Sequence, residues 1–171
     1  DDRSGEDRAD FDRMLKAVGD LYLSMNVLIL LDLTYFGRFW TSFEAWCAMQ
    51  KTTPKGLTPV VGGNGRYEIM CIHNAKNDPD SFRKMLVGQM ASLSVQQAYD
   101  LLKKPDIVLT NAKDKEVMLP ILLETDAHVR EVFTTAEATQ KQKEKNALAE
   151  EKRAQAEATQ RKRVTEEKGK R

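Results

Sequence analysis

Six apolar side chains recur at helical spacing near the start of the chain, which predicts a helix over 10–22. They are Phe11, Met14, Leu15, Val18, Leu21 and Tyr22. Asp10 stands where a capping side chain would accept a hydrogen bond from the first helical turn. Residues 1–9 are almost entirely polar and are predicted to form a disordered lead.

The next segment, Val27 to Leu31, is continuously apolar and rich in branched side chains. Such a run is typical of a strand that is buried on both faces of a parallel sheet. Asp32 ends the run, and Thr34 is positioned to cap a following helix over 35–51. Large apolar side chains cover most of that helix: Phe36, Phe39, Trp40, Phe43, Trp46, Cys47 and Met49.

The later segments continue the alternation of helix and strand. They are predicted as a loop over 52–66, a strand over 67–73, two helices over 79–90 and 95–103, a strand over 106–110 and a helix over 113–133. The two helices are expected to begin after Asp78 and Ser94. This alternation predicts an α/β layer fold with a mainly parallel sheet of about three strands. Such folds usually begin with a strand, so we interpret the chain as the later part of a larger domain whose opening strands are missing.

A charged helical tail is predicted over 134–171, where the motif AEATQ occurs at 136–140 and again at 156–160. Leu148 and Val164 are its only large aliphatic residues, too few for the apolar seam of a coiled coil. The composition favours a long, exposed single helix. It is either a basic arm for an acidic partner or a solvated linker.

Charge and composition narrow the function classes. The 171 residues carry a net charge of +1, so we do not expect nucleic acid as a partner. From Ala136 onward the chain has 11 basic and 7 acidic residues, whereas the residues before it have 16 and 19. Cys47 and Cys71 show no metal-ligand spacing, so no metal is expected. The longest apolar run is far below the roughly 18 residues of a membrane span. With no signal-peptide pattern at the start, a cytoplasmic protein without a membrane partner is expected.

One acid lies within the aromatic helix. Glu44 shares a helical face with small residues, where another group could approach closely: Gly37, Thr41 and Ala48. This helix follows the carboxyl end of a strand, and ligands of open α/β sheets bind beyond those ends. Asp32 and His73 are expected at the same edge if the strands are parallel.

The segment VLILLDLTYFGRFWTSFEAWCAM resembles the third strand and following helix of Toll/interleukin-1 receptor homology (TIR) domains, in which a Tyr is followed by a Trp five residues on and a Glu nine residues on. Here these are Tyr35, Trp40 and Glu44. The resemblance covers 10–133 and extends more loosely to the TIR-like fungal heterokaryon-incompatibility proteins. It implies a flavodoxin-like fold.

Enzymatic TIR domains cleave the nicotinamide–ribose bond of NAD, so the resemblance implies an NAD nucleosidase that uses NAD as substrate and needs no cofactor. Glu44 would be the catalytic carboxylate, which suits a reaction that builds oxocarbenium character on the ribose. The candidate substrate-binding residues are Asp32, Arg38, Trp40, Thr41 and His73. Arg38 and Thr41 depart from the Ser and Cys that the motif often has.

Two functions follow from these observations. The first is NAD cleavage, which requires Glu44 to face an open cleft near Asp32 and the loop 110–114. The second is a non-catalytic interaction or self-association module in signalling, whose partners would be further copies or TIR-like domains. That role tolerates Glu44 in a structural pair with Arg38 or a lysine. Weaker candidates are a nucleophilic Cys47–His73 pair and a phosphate cradle in the glycine-rich segment GGNG, 62–65.

Overall fold

The computed structural model describes residues 4–60, 65–109 and 112–168. The helices are α1 Gly5–Ser24, α2 Phe39–Ala48, α3 Pro79–Met90, α4 Val95–Lys103 and α5 Ala112–Lys168, and the strands are β1 Val27–Leu31, β2 Gln50–Thr53, β3 Gly56–Pro59 and β4 Tyr67–Cys71. The chain divides into two compact units, Asp1–Arg130 and Glu131–Arg171. The mixed α/β class and the long C-terminal helix are confirmed.

Helix α1 begins earlier than its apolar pattern indicates. Ser4 caps it through a capping box, in which the Ser4 hydroxyl accepts from the Asp7 amide at 3.2 Å and the Asp7 carboxylate accepts from the Ser4 amide at 3.3 Å. Asp10 therefore lies inside the helix and does not cap it. The polar lead is helical from Gly5, while residues 1–3 lie outside the description.

Strands β1 and β4 pair in parallel, with Val27 opposite Tyr67 and Leu31 opposite Cys71. The prediction of these two strands and of their parallel pairing is confirmed. The prediction that β1 is buried on both faces is wrong, because burial alternates along it. The helices pack on one face, where Ile29 and Leu31 are almost completely buried, whereas Leu28 and Leu30 on the other face are exposed.

The aromatic helix forms the centre of the core. A short 3₁₀ turn, Tyr35–Gly37, and the extended residue Arg38 precede α2, so the helix predicted over 35–51 is divided and shorter. Thr34 makes no capping hydrogen bond through its side chain. The rings of Phe39 and Phe43 stack at 6.0 Å, and both are almost completely buried.

The strand predicted over 106–110 is not formed. Residues 106–109 make a single parallel bridge, from Val108 to Arg38, and Thr110 lies outside the described residues. The Val108 amide donates to the Gly37 carbonyl at 2.7 Å, and the Val108 carbonyl accepts from the Phe39 amide at 3.0 Å. The bridge cannot continue because its partner segment becomes a helix at Phe39.

The segment predicted as a loop over 52–66 contains part of an antiparallel hairpin of β2 and β3. Gly56 has φ 95°, a conformation that favours glycine. The Leu57 amide donates to the buried carboxylate of Asp126 at 2.7 Å, and Asp126 also pairs with Arg130. This long-range contact holds the hairpin against α5. The glycine-rich segment, except Gly65, lies outside the described residues.

The starts of α3 and α4 agree with the sequence. The Asp78 carboxylate accepts from the Ser81 amide at 3.2 Å, and Ser94 and Gln97 form a capping box. Helix α5 is 57 residues long and continues through Pro120. Within the second unit, most side chains up to residue 153 are exposed, and amide–carboxylate pairs such as Gln140–Glu144 connect successive turns.

Candidate functional site

The carboxyl edge of the parallel sheet carries a compact polar cluster of Asp32, Thr34 and Arg38. The Asp32 carboxylate accepts from the Thr34 hydroxyl at 2.8 Å and the Thr34 amide at 2.9 Å, and lies 3.5 Å from the Arg38 guanidinium. These hydrogen bonds from Thr34, together with the charges of Arg38 and His73, lower the pKa of Asp32. Asp32 therefore organises the turn that leads from β1 towards α2.

His73 lies at the same edge, just beyond the end of β4, and its charge acts on Asp32. The expectation that Asp32 and His73 share this edge is confirmed. His73 is exposed and has φ 47°, which is uncommon for a residue with a side chain. The left-handed conformation lets the chain turn sharply from the strand into the 3₁₀ turn His73–Asn77.

A shallow pocket of about 440 Å³ lies beside the start of α2 and is lined by Arg38, Phe39, Trp40, Thr41, Val108 and Leu109. It brings together three of the predicted substrate-binding residues: Arg38, Trp40 and Thr41. The Thr41 hydroxyl already donates to the Tyr35 carbonyl at 2.7 Å. The Trp40 ring lies edge-on to Phe39 at 5.6 Å, as expected for core packing.

Glu44 lies on a different side of α2, in the contact with α1. Burial raises the pKa of Glu44, and polar contact with the Tyr22 hydroxyl partly offsets that rise. Burial, reinforced by the charge of Glu44 and by this same contact, raises the pKa of Tyr22 to about 12. Glu44 is not among the residues that line the pocket beside Trp40 or a second pocket beside Asn26.

The predicted structural pair of Glu44 with Arg38 or a lysine is not formed. Arg38 pairs with Asp32 instead, and no described lysine or arginine makes an ion pair with Glu44. The sequence could not identify Tyr22, because this partner comes from a helix that precedes the motif. Of the loop 110–114, residues 110 and 111 lie outside the described part of the chain.

The Cys47–His73 pair is not formed. Cys47 is 1% exposed in the core, whereas His73 is exposed beyond the end of β4. Burial, reinforced by the charge of Glu44, raises the pKa of the Cys47 thiol. A buried neutral thiol is a poor nucleophile, so Cys47 has the core role that its apolar surroundings indicate.

A surface that sequence analysis missed is the uncovered face of the parallel sheet, here called the bare face and formed by Leu28, Leu30, Glu68 and Met70. Leu28 is 55% exposed, Leu30 48% and Met70 49%. The signal is hidden because Val27 to Leu31 is apolar at every position, which leaves no polar alternation to mark an exposed face.

The residues that the structure describes contain no helix long and apolar enough to cross a membrane. They also contain no group of three or more His, Cys, Asp or Glu side chains arranged to hold a metal ion. Comparison of the chain with family models, curated proteins and solved structures finds no match.

Proposed function

We propose that this chain is a TIR-like domain of flavodoxin-like architecture that acts as a non-catalytic protein-interaction module. The single observation that carries the proposal is the bare face, which exposes three large apolar side chains on a parallel sheet. Parallel sheets are almost always covered on both faces. The bare face of this chain is therefore an apolar surface that is available to a partner.

The bare face has enough apolar area to matter for binding. Fully burying a Leu or Met side chain contributes about 1.5–3 kcal/mol, and Leu28, Leu30 and Met70 each have about half of that burial still available. Covering all three would contribute roughly 2–4 kcal/mol before the costs of association. Glu68, exposed beside them, favours a partner with a basic residue at the rim.

The position of Glu44 also favours binding over catalysis. Its carboxylate faces Tyr22 between two helices, and its charge is disfavoured by burial. A carboxylate that stabilises a developing oxocarbenium ion has to be charged and to reach the ribose. The competing proposal, NAD cleavage with Glu44 as the catalytic acid, is supported by the pocket beside α2, because Arg38 could bind a phosphate there.

The catalytic alternative is tested by nicotinamide release from NAD. Wild type is compared with Glu44→Gln and Glu44→Ala at protein concentrations high enough for assembly, with circular dichroism to confirm folding. We expect no release above the background for any of the three proteins. Release by wild type that both substitutions abolish would refute the non-catalytic proposal and identify Glu44 as the working carboxylate.

The interaction role is tested with the bare face itself. Purified TIR-like domains are passed over immobilised wild type, Met70→Lys and the control Met85→Lys. Met85 is 54% exposed on α3, so the control adds the same charge to a similarly exposed methionine outside the bare face. Binding that Met70→Lys weakens and Met85→Lys leaves intact supports the proposal. Binding that both variants retain would exclude the bare face as the contact surface.

A further inference from the structure

The side chain of Gln50 is buried in the body without a hydrogen-bond partner. Gln50 is 0% exposed and is the first residue of β2. Neither Nε2 nor Oε1 of its amide has a hydrogen-bond partner among the described residues. A primary amide offers two N–H donors and one carbonyl acceptor, so all of its hydrogen-bonding groups are left unsatisfied.

Such a buried amide needs an explanation. Burial without partners is unfavourable, because the amide gives up its hydrogen bonds to water and forms none within the protein. Most buried polar groups of folded proteins therefore have a partner, which is either another protein group or an ordered water molecule. Since the part of the chain that the structure describes supplies no protein partner for Gln50, water is the natural candidate.

A second polar group with an unsatisfied donor lies next to Gln50. The Arg66 guanidinium donates from Nη2 to the Gln50 backbone carbonyl at 2.8 Å, which holds it beside this residue. The Arg66 Nε–H is also buried and pairs with no residue that the structure describes. An internal water makes about two to four hydrogen bonds, so its site needs several polar atoms. Gln50 and Arg66 together provide three unsatisfied ones.

Water can approach this region from the surface. A pocket of about 380 Å³ lies at the start of β1 and β4, and its lining includes Arg66, Asn26 and Glu68. These polar and charged side chains favour water inside the pocket. Arg66 therefore contacts Gln50 through its guanidinium and also borders a space that solvent can enter.

We propose that Gln50 and Arg66 hold ordered internal water, with at least one molecule hydrogen-bonded to the Gln50 side-chain amide. The water satisfies the buried amide and the Arg66 Nε–H. It also connects the hairpin of β2 and β3 to the start of β4, because Arg66 directly precedes that strand. Its presence depends neither on the bare face nor on Glu44, so the proposed function and this site stand or fall separately.

The test is nuclear magnetic resonance of the full chain, which detects magnetisation transfer from bound water to nearby amide protons. In rotating-frame spectra, dipolar transfer and proton exchange give cross peaks of opposite sign. We expect a dipolar water peak at the Gln50 side-chain amide. The matched control is the Trp46 indole N–H, which is equally buried but donates to the Leu93 carbonyl at 3.1 Å. This N–H should show no water peak.

Two further variants exclude an indirect signal. A buried hydroxyl proton can exchange with water and then transfer magnetisation to a neighbouring amide, which imitates bound water. The hydroxyls of Ser42 and Thr58 are buried and have no partner among the residues described. Ser42→Ala and Thr58→Val remove them, and the water peak at Gln50 should persist in both variants.

Gln50→Met gives an independent measurement by urea unfolding, since methionine has a similar length and lacks the amide. If the amide were dry, its removal would relieve an unsatisfied group and raise the folding equilibrium constant about fivefold or more. With bound water we expect no such rise, because the hydrogen bonds to water are lost as well. Gln96→Met is the control, since Gln96 is exposed on α4 and its replacement should change the constant by less than about threefold.

Three outcomes would overturn the inference. They are a Gln50 amide without a dipolar water peak, a peak that removal of either hydroxyl abolishes, and a fivefold or larger rise of the folding constant in Gln50→Met alone. If Gln50→Met does not fold, the spectra of the wild type still decide the question. Loss of partner binding in Met70→Lys, or release of nicotinamide from NAD, bears on the proposed function and not on this site.

Discussion

Replacing Asp126 with alanine should destabilise the body of the protein, because this buried carboxylate serves two partners. Asp126 is 5% exposed. One of its oxygens accepts from the Leu57 amide at 2.7 Å, and the other pairs with Arg130 one helical turn later. The substitution removes both interactions and separates β3 from α5.

The expected magnitude follows from the two contacts. Leu57 is 6% exposed, so its N–H would be left buried without an acceptor, which costs about 1–3 kcal/mol. The pair with Arg130 contributes no more than about 1 kcal/mol, because the arginine side chain is half exposed. We therefore expect Asp126→Ala to lower the free energy of unfolding by about 1–4 kcal/mol. Asp126→Asn keeps an acceptor for Leu57 and should lose only about 1 kcal/mol.

The assay is urea unfolding followed by tryptophan fluorescence. Both tryptophans lie in α2 and Trp46 is fully buried, so the signal reports the body and not the tail. Glu124→Ala is the control, since Glu124 is exposed on the same helix and its loss should change stability by less than about 0.5 kcal/mol. If Asp126→Ala unfolds like Glu124→Ala, the account of the Leu57 amide is wrong. If the asparagine variant is as unstable as the alanine variant, the ion pair and not the acceptor dominates.

Two further predictions concern Glu44 and Gly56. The pKa of Glu44 is raised from its ordinary 4.5, so the native state keeps this proton to higher pH than the unfolded chain does. The stabilising contribution of the protonated Glu44 is present below pH 4.5 and is lost as the pH rises towards the raised pKa. Urea unfolding from about pH 4 to 7 should therefore show wild type losing stability relative to Glu44→Gln. A stability difference that does not change with pH would contradict this prediction. Gly56→Ala should destabilise by about 1–3 kcal/mol, because φ is 95° and the added Cβ would lie 2.2 Å from an Asp126 carboxylate oxygen. Since both substitutions break the same contact, the double variant with Asp126→Ala should lose less stability than the sum of the two single losses, and full additivity would show that the two residues act separately.

The parts of the fold that depend on neighbouring residues could be predicted from the sequence. Ser94 with Gln97 and Asp78 with Pro79 define the starts of α4 and α3 within a few residues, because capping is a local interaction. The pairing of β1 with β4 was also accessible, since two apolar strands separated by a helix favour a parallel arrangement.

The parts that depend on distant residues could not be predicted. The hairpin around Gly56 has the composition of a loop, and the Asp126 carboxylate that stabilises it lies far along the chain. The candidate site fails for the same reason. The spacing of Tyr35, Trp40 and Glu44 is a property of one helix, whereas the surroundings of Glu44 are set by Tyr22 on another.

The start of α2 has a consequence for how the protein folds. Its N-cap residue, Arg38, supplies no side-chain hydrogen bond, and the first helical amide, that of Phe39, finds its acceptor on Val108 near the far end of the body. The central aromatic helix is therefore completed only when most of the body has been brought together. Contacts of such long sequence separation slow folding, because the loop between them has to close first. During synthesis, the Phe39 amide would lack this acceptor until the Val108 segment has left the ribosome.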